Sequence, residues 1–220
     1  MLLHNGDHLA QPEFHRRYKA YPENVKFELV GGIVYMASPL RRSHGGRHSQ
    51  LGSILQRYSD ETQGVETLDN VTTILGEESE PQPDLALRIL SEYGGQSRET
   101  ADDYVEGPPE LVAEVAHSTR AIDLHQKRLD YRQAGVREYL VLCIEGPELI
   151  WFGFRSRGRI VPDGDVCRSR VFPGLWIDAP ALLAGIGARQ SAVLSKGLSS
   201  PEHSAFVRRL QRRHEKLRGK

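Results

Sequence analysis

Asp84, Glu114 and Lys127 are the residues whose types and positions fit one chemistry. Asp84 follows Pro83 at the head of an extended apolar stretch, Leu85-Ala86-Leu87. Glu114 interrupts the apolar run Leu111–Ala116, and Lys127 lies on the helical stretch that follows directly. An ionised carboxylate in an apolar strand is costly unless it is paired or binds a cation. Two facing carboxylates repel, and a divalent ion resolves the repulsion. Mg²⁺ takes oxygen ligands and retains waters, with Mn²⁺ as a substitute. A nearby amine can orient or deprotonate a water, or neutralise charge developing on a phosphate. Two carboxylates, a metal and a lysine are the equipment for phosphodiester hydrolysis.

Each residue also has a plainer reading. An aspartate after proline is often a turn residue. Glu114 could sit in a buried salt bridge with Arg47 or Arg88. Lys127 is four residues from both Asp123 and Tyr131, the spacing of an ordinary helix-surface pair. Taken jointly the three weaken that reading. Other chemistries lack their parts. The chain has no Walker loop, no GxGxxG and no GxSxG elbow,. A two-carboxylate glycosidase stays open on composition, but it gives Lys127 no use.

The chain has 220 residues, 39% hydrophobic and 26% charged, which excludes a disordered chain and a membrane span,. The start, Met1–Asp7, does not read as a secretory signal. Cys143 and Cys167 cannot make a disulfide framework or a four-ligand zinc site alone, so a reduced, cytoplasmic protein is expected. Net charge is zero but uneven. From Arg189 to Lys220 nine basic residues face two acidic ones, a tail of +7 against a body of −7. Such a tail could touch nucleic acid, dock on the acidic body, or be a solvated helix. Arginine outnumbers lysine 23 to 6, and Lys127 is the one lysine between Lys26 and Lys196.

The elements that must position these residues follow from pattern. Residues 1–25 suggest a short helix and a loop. Lys26–Val30 and Ile33–Met36, joined by Gly31-Gly32, read as a hairpin ended by Ser38-Pro39. Leu51, Ile54, Leu55 and Tyr58 predict a helix over 43–62 capped by Ser43, with His44 and His48 on one face beside Arg47. Strands are expected over 71–75, 83–87, 110–116, 138–144 and 149–154. A long loop is expected over 91–106, a helix over 119–134 closed by Gly135, and a short extended piece over 171–177. Asp178 begins a brief helix, 185–199 reads as a linker, and Ser200-Pro201-Glu202 opens a terminal helix. A long helix between two strands argues for a mixed sheet with helices packed on it.

The ordered series Pro83-Asp84, Gly107–Val115, Ser118-Thr119-Arg120, Asp123, Lys127, Tyr131 and Ala134–Tyr139, with Phe27–Val34 and His48 before it, resembles the Uma2 family of endonucleases. That family lies within the restriction-endonuclease-like, PD-(D/E)XK superfamily. The resemblance covers roughly 10–184, which sets 1–184 apart from a linker and basic helical tail over 185–220. It implies an α/β fold with a central mixed sheet flanked by helices. It implies metal ligation by Asp84 and Glu114, with the backbone carbonyl of Val115 as third ligand. Glu28 would hold a water or a second metal, and His48 would contact phosphate.

One departure stands out. Side chains alternate along a strand, so the superfamily lysine, two residues after the glutamate, would share its face. Here that position is Ala116. Lys127, projecting back from the next helix, is the replacement; His117 points to the other face. The expected protein is a Mg²⁺-dependent endonuclease acting on DNA, as a homodimer, without membrane association. The alternative is a nuclease-fold protein that binds nucleic acid or a protein without turnover.

Overall fold

The computed structural model describes residues 2–22, 24–36, 41–117, 119–155 and 158–219. Ser38, Pro39 and Ser118 lie outside these.

The chain opens with α1 (Gln11–Tyr18) and the hairpin β1 (Phe27–Val30) and β2 (Ile33–Met36). Gly31 and Gly32 take φ of 58° and 75°, the two positive values a tight hairpin turn needs. α2 (Arg42–Asp60) follows. Its N-cap is Arg41, which has no side-chain cap bond, so Ser43 lies inside the helix and does not cap it. Then come β3 (Val65–Asp69), β4 (Thr73–Ile74), β5 (Leu85–Ile89), β6 (Arg98–Glu99), β7 (Val105–Glu106) and β8 (Leu111–Ala116). The next helical segment runs as α3 (Arg120–Ile122), a π-helical turn (Asp123–Lys127) and α4 (Arg128–Ala134), closed by Gly135 at φ 99°. β9 (Glu138–Cys143), β10 (Glu148–Gly153), β11 (Gly158–Arg159), β12 (Val166–Arg168) and β13 (Trp176–Asp178) lead to α5 (Ala179–Ala184), α6 (Gly187–Leu198) and α7 (Pro201–Arg218).

Six strands form a mixed sheet in the order β11-β10-β9-β8-β5-β3. Within it β8 and β9 are parallel, and the α3–α4 segment is the crossover that a parallel pair requires. Alternation along β8 sorts its side chains. Leu111, Ala113 and Val115 join the main core with Leu51, Leu55 and Tyr58 of α2. Val112 and Ala116 pack with Tyr131, Val136 and Tyr139 on the crossover face. Glu114, between them in sequence, belongs to that second face.

Three further expectations are corrected. The strand expected over 71–75 is only Thr73–Ile74, in a small separate sheet. The central-sheet strand is β3, whose half-exposed Glu66 and exposed Asp69 mask the pattern at the sheet edge. Residues 91–106 are not all loop: they hold a 3₁₀ turn at Ser91–Tyr93 and the two-residue strands β6 and β7. Residues 185–199 are not a linker but mostly α6. Its small residues permit close packing: a Cβ on Gly197 would lie 2.1 Å from the Gly174 carbonyl oxygen. Leu194 and Leu198 of α6, with Phe206 and Leu210 of α7, complete the main core. Among the described residues no helix is long and apolar enough to cross a membrane.

Candidate active site

Glu114 enters from the centre of the sheet, and the crossover helix delivers its partners. Lys127 Nζ donates to Glu114 Oε1 at 3.1 Å and to Glu28 Oε1 at 3.0 Å. Tyr131, one turn on, donates its hydroxyl to the same Glu114 oxygen at 2.8 Å. Asp123, one turn before, lies 4.0 Å from the amine. Residues at steps of four drift around an α-helix of 3.6 residues per turn; the wider π turn offsets that drift, and Asp123, Lys127 and Tyr131 are all buried on one side,. Neither Arg47 nor Arg88 partners Glu114: Arg47 binds the Leu182 and Leu183 carbonyls, and Arg88 pairs with Glu66 and Glu99.

Asp84 stands at the mouth of β5. The β5–β8 pairing ends at Leu85 opposite Ala113. Val115 is the next β8 residue on that side, because Glu110 and Ala116 turn their carbonyls to β9 partners. Its amide, with no strand left to bind, donates to Asp84 Oδ2 at 2.7 Å. Its carbonyl leaves the strand on the same side. Glu114 Oε2 sits 3.4 Å from the Asp84 amide, so the two carboxylates flank Val115. The hairpin brings in Glu28, whose Oε1 also accepts from the Gln82 amide at 2.7 Å. From α2, His44 Nε2 approaches Asp84 Oδ2 at 3.4 Å. His48 Nε2 lies 2.9 Å from the Asp84 carbonyl oxygen, so this ring braces the backbone of Asp84. His117 turns away, 3.5 Å from Glu145.

Three carboxylates thus share one lysine, and the fourth, Asp84, feels its charge from beside them. Burial, opposed by Lys127 and reinforced by Asp84, Asp123 and Glu28, pushes Glu114 well above the usual carboxylate range. Burial pushes Asp123 up to about 6 despite Lys127 and the Thr119 hydroxyl. Burial also disfavours the charged form of Asp84, but contact with His44 and the Val115 N–H outweigh it and leave the group lowered. For Lys127 burial opposes the charge, yet the Glu114, Glu28 and Asp123 carboxylates overcome that and hold the amine well above its ordinary value. Lys127 is therefore an ammonium that can donate and neutralise.

The sequence matches the Uma2 family model, described as "Putative restriction endonuclease", over residues 11–180. The chain belongs to the Uma2 family. Its fold is similar to the crystal structure of "a putative nuclease belonging to DUF820" from Anabaena variabilis ATCC 29413, with a TM-score of 0.59 at 12% identity, covering 77% of this chain and 96% of that one. No curated protein matches the sequence.

In this Uma2 chain every sequence-predicted site residue lies in one cluster: Glu28, His48, Asp84, Glu114, Val115 and Lys127. Missing from the sequence reading as site members are His44, Asp123 and Tyr131. The four-residue steps from Asp123 to Lys127 to Tyr131, and from His44 to His48, were the available signals. The donor set is all oxygen with surplus negative charge, which suits a hard divalent cation. Among the described residues no three His, Cys, Asp or Glu side chains stand ready as a cage. Mg²⁺ does not demand one, since it commonly takes one or two carboxylates and keeps its waters.

Proposed function

We propose that this protein is a Mg²⁺-dependent endonuclease hydrolysing phosphodiester bonds in DNA, with Mn²⁺ able to substitute. The observation that carries the reading is the burial of Lys127 Nζ between Glu28 and Glu114, delivered by the helix after β8 where the strand itself offers Ala116. Asp84, Glu114 and the Val115 carbonyl would hold the ion. When bound, the cation would polarise the phosphate and acidify the attacking water. Lys127, as an ammonium, would orient that water and neutralise charge developing on the phosphate oxygens. Glu28 would hold the lysine and accept a proton from water. His48 would keep Asp84 in place and contact phosphate. The catalytic unit is 1–184, with 185–220 as its helical brace. A homodimer would present two such sites, one to each strand of a duplex. The free, buried Cys143 and Cys167 accord with a reducing, cytoplasmic setting,.

The test is supercoiled plasmid incubated with purified protein, with and without Mg²⁺ or Mn²⁺. Nicking should require the metal, vanish in Asp84→Ala and fall roughly 10²-fold or more in Lys127→Ala. Equal cutting by parent and both variants would assign the activity elsewhere. One observation favours a binding module instead: Lys127, locked by three carboxylates, takes no proton from water. If DNA binds but is never cut with either metal, that second reading holds.

A further inference from the structure

Many of the arginines have a carboxylate partner. Arg16, Arg88, Arg98, Arg120, Arg159 and Arg189 are each ion-paired. Of the described arginines without one, four converge, three from the body and one from α7. Arg137, Arg155, Arg170 and Arg209 line a cleft of about 250 Å³ at the start of β9. Among the described residues none of the four is in an ion pair. Arg137 is half-buried, and its one side-chain bond is from Nε to Gln96 Oε1 at 3.1 Å. Arg209 is held over the Phe206 ring, 5.1 Å from its centroid.

Glu138 lies in the same cleft, and among the described residues it forms no ion pair with the four arginines; burial raises its pKa. Its Oε1 accepts from the Arg170 and Val171 amides at 2.7 and 3.1 Å, and its Oε2 from the Ser169 hydroxyl at 2.7 Å. Those bonds tie the carboxylate to the backbone beneath the guanidinium groups. Burial lowers Arg137 from its usual value, with Arg155 and Arg213 adding to that and Glu110 opposing it. Four guanidinium groups around one carboxylate leave surplus positive charge, which an entering anion relieves,. Arginine's planar fork matches the oxygens of a phosphoryl group.

We propose that this four-arginine cleft binds a phosphoryl group. The site is distinct from the cluster around Lys127. Glu138 is level with Leu111 across the parallel pair, whereas Glu114 is level with Val141, which separates the two by about 10 Å along the strands. A phosphate held here is not the one being cut. It is either a backbone phosphate of the same nucleic acid, outside the cleaved step, or a free phosphate or nucleotide. The site does not depend on the metal reading: Asp84→Ala should leave it intact.

The experiment compares the full chain with Arg155→Gln/Arg170→Gln, both exposed positions. Inorganic phosphate binding is read by calorimetry, and binding of a duplex oligonucleotide in EDTA by fluorescence anisotropy across a salt series. If the anion is a backbone phosphate, the variant should bind DNA roughly tenfold more weakly at moderate salt, and its log K against log salt slope should fall by about 2. If the anion is free phosphate, the variant should lose phosphate binding with DNA binding unchanged. If both affinities equal the parent's while the variant melts normally, the proposal is overturned. Should the double variant unfold, Arg170→Lys, which keeps the charge and loses the fork, serves the same comparison with a smaller loss.

Discussion

At the scale of single residues, the site is a charge imbalance held in place by burial. Glu28, Glu114 and Asp123 pair with one ammonium beside Asp84, and each carboxylate beyond the first adds repulsion that burial strengthens. Asp123 shows the consequence in a titration. Its folded value of about 6 lies above the ordinary 3.8, so the folded state holds the proton more tightly than the unfolded one. The stability this contributes is complete below pH 3.8 and is lost as pH rises through 6. Asp123→Asn keeps an acceptor for the Thr119 hydroxyl, which donates to it at 2.7 Å, and removes the titration. In metal-free buffer the variant should gain on the parent between pH 4 and pH 7, by at most about 3 kcal/mol, read from urea midpoints. A constant gap across that range would show that Asp123 is not held protonated by the fold. Asp84, Glu114 and Lys127 were legible in the sequence because a charge in an apolar strand, or a lone lysine in an arginine-rich chain, demands a partner. Asp123 and His44 were not, because their four-residue steps to Lys127 and His48 are equally those of exposed helix pairs, and the chain does not say which polar helix position will be roofed over.

At the scale of elements, β8 and the helix after it have divided a task that a single strand could perform. Position 116 shares the face of Glu114, but Ala116 is 1% exposed and packs among Tyr131, Tyr139 and Val141. A lysine there would have to displace these large side chains, and the amine that reaches Glu114 comes instead from the helix, on the π turn. Ala116→Lys should therefore destabilise the fold by about 3 kcal/mol or more, through overpacking and a buried charge. Combined with Lys127→Ala it should not restore cleavage. A folded, active double variant would mean that the strand position can reach the phosphate after all. The same local logic explains which elements were legible. The hairpin, α2 and the β8–helix–β9 unit carry strong apolar periods and glycine stops. β3 was hidden because an edge strand keeps only part of its alternation. α6 was hidden because Gly187, Ala188, Gly197 and their neighbours read as linker, whereas the smallness of Gly197 serves contact with Gly174 and Trp176 beside β13.

At the scale of the whole molecule, the charge asymmetry suggests a basic tail drawn to an acidic body, and the packing argues otherwise. Among the described residues no arginine or lysine of α7 pairs with a carboxylate. The helix is held by Phe206 and Leu210, 2% and 3% exposed, by Phe206 against Phe172, and by His214 stacked 4.3 Å from Tyr93. His203 Nε2 also meets the Thr62 hydroxyl at 2.9 Å. Burying two such side chains, and covering the aromatic surface beneath, is worth about 3–6 kcal/mol, a large part of the 5–15 typical of a domain. A chain ending at Ser199 should lose that much in urea unfolding and should bind a hydrophobic dye that the full chain does not. Apolar contacts are not screened, whereas ion pairs are. The deficit should thus be the same at about 0.05 M and about 1 M KCl. If it shrinks strongly at high salt, charge holds α7 to the body, and the arginines facing solvent are then spent on stability and are not available for nucleic acid. If it persists, α7 is a structural helix whose outward arginines, Arg209 at the cleft among them, are free to meet phosphate.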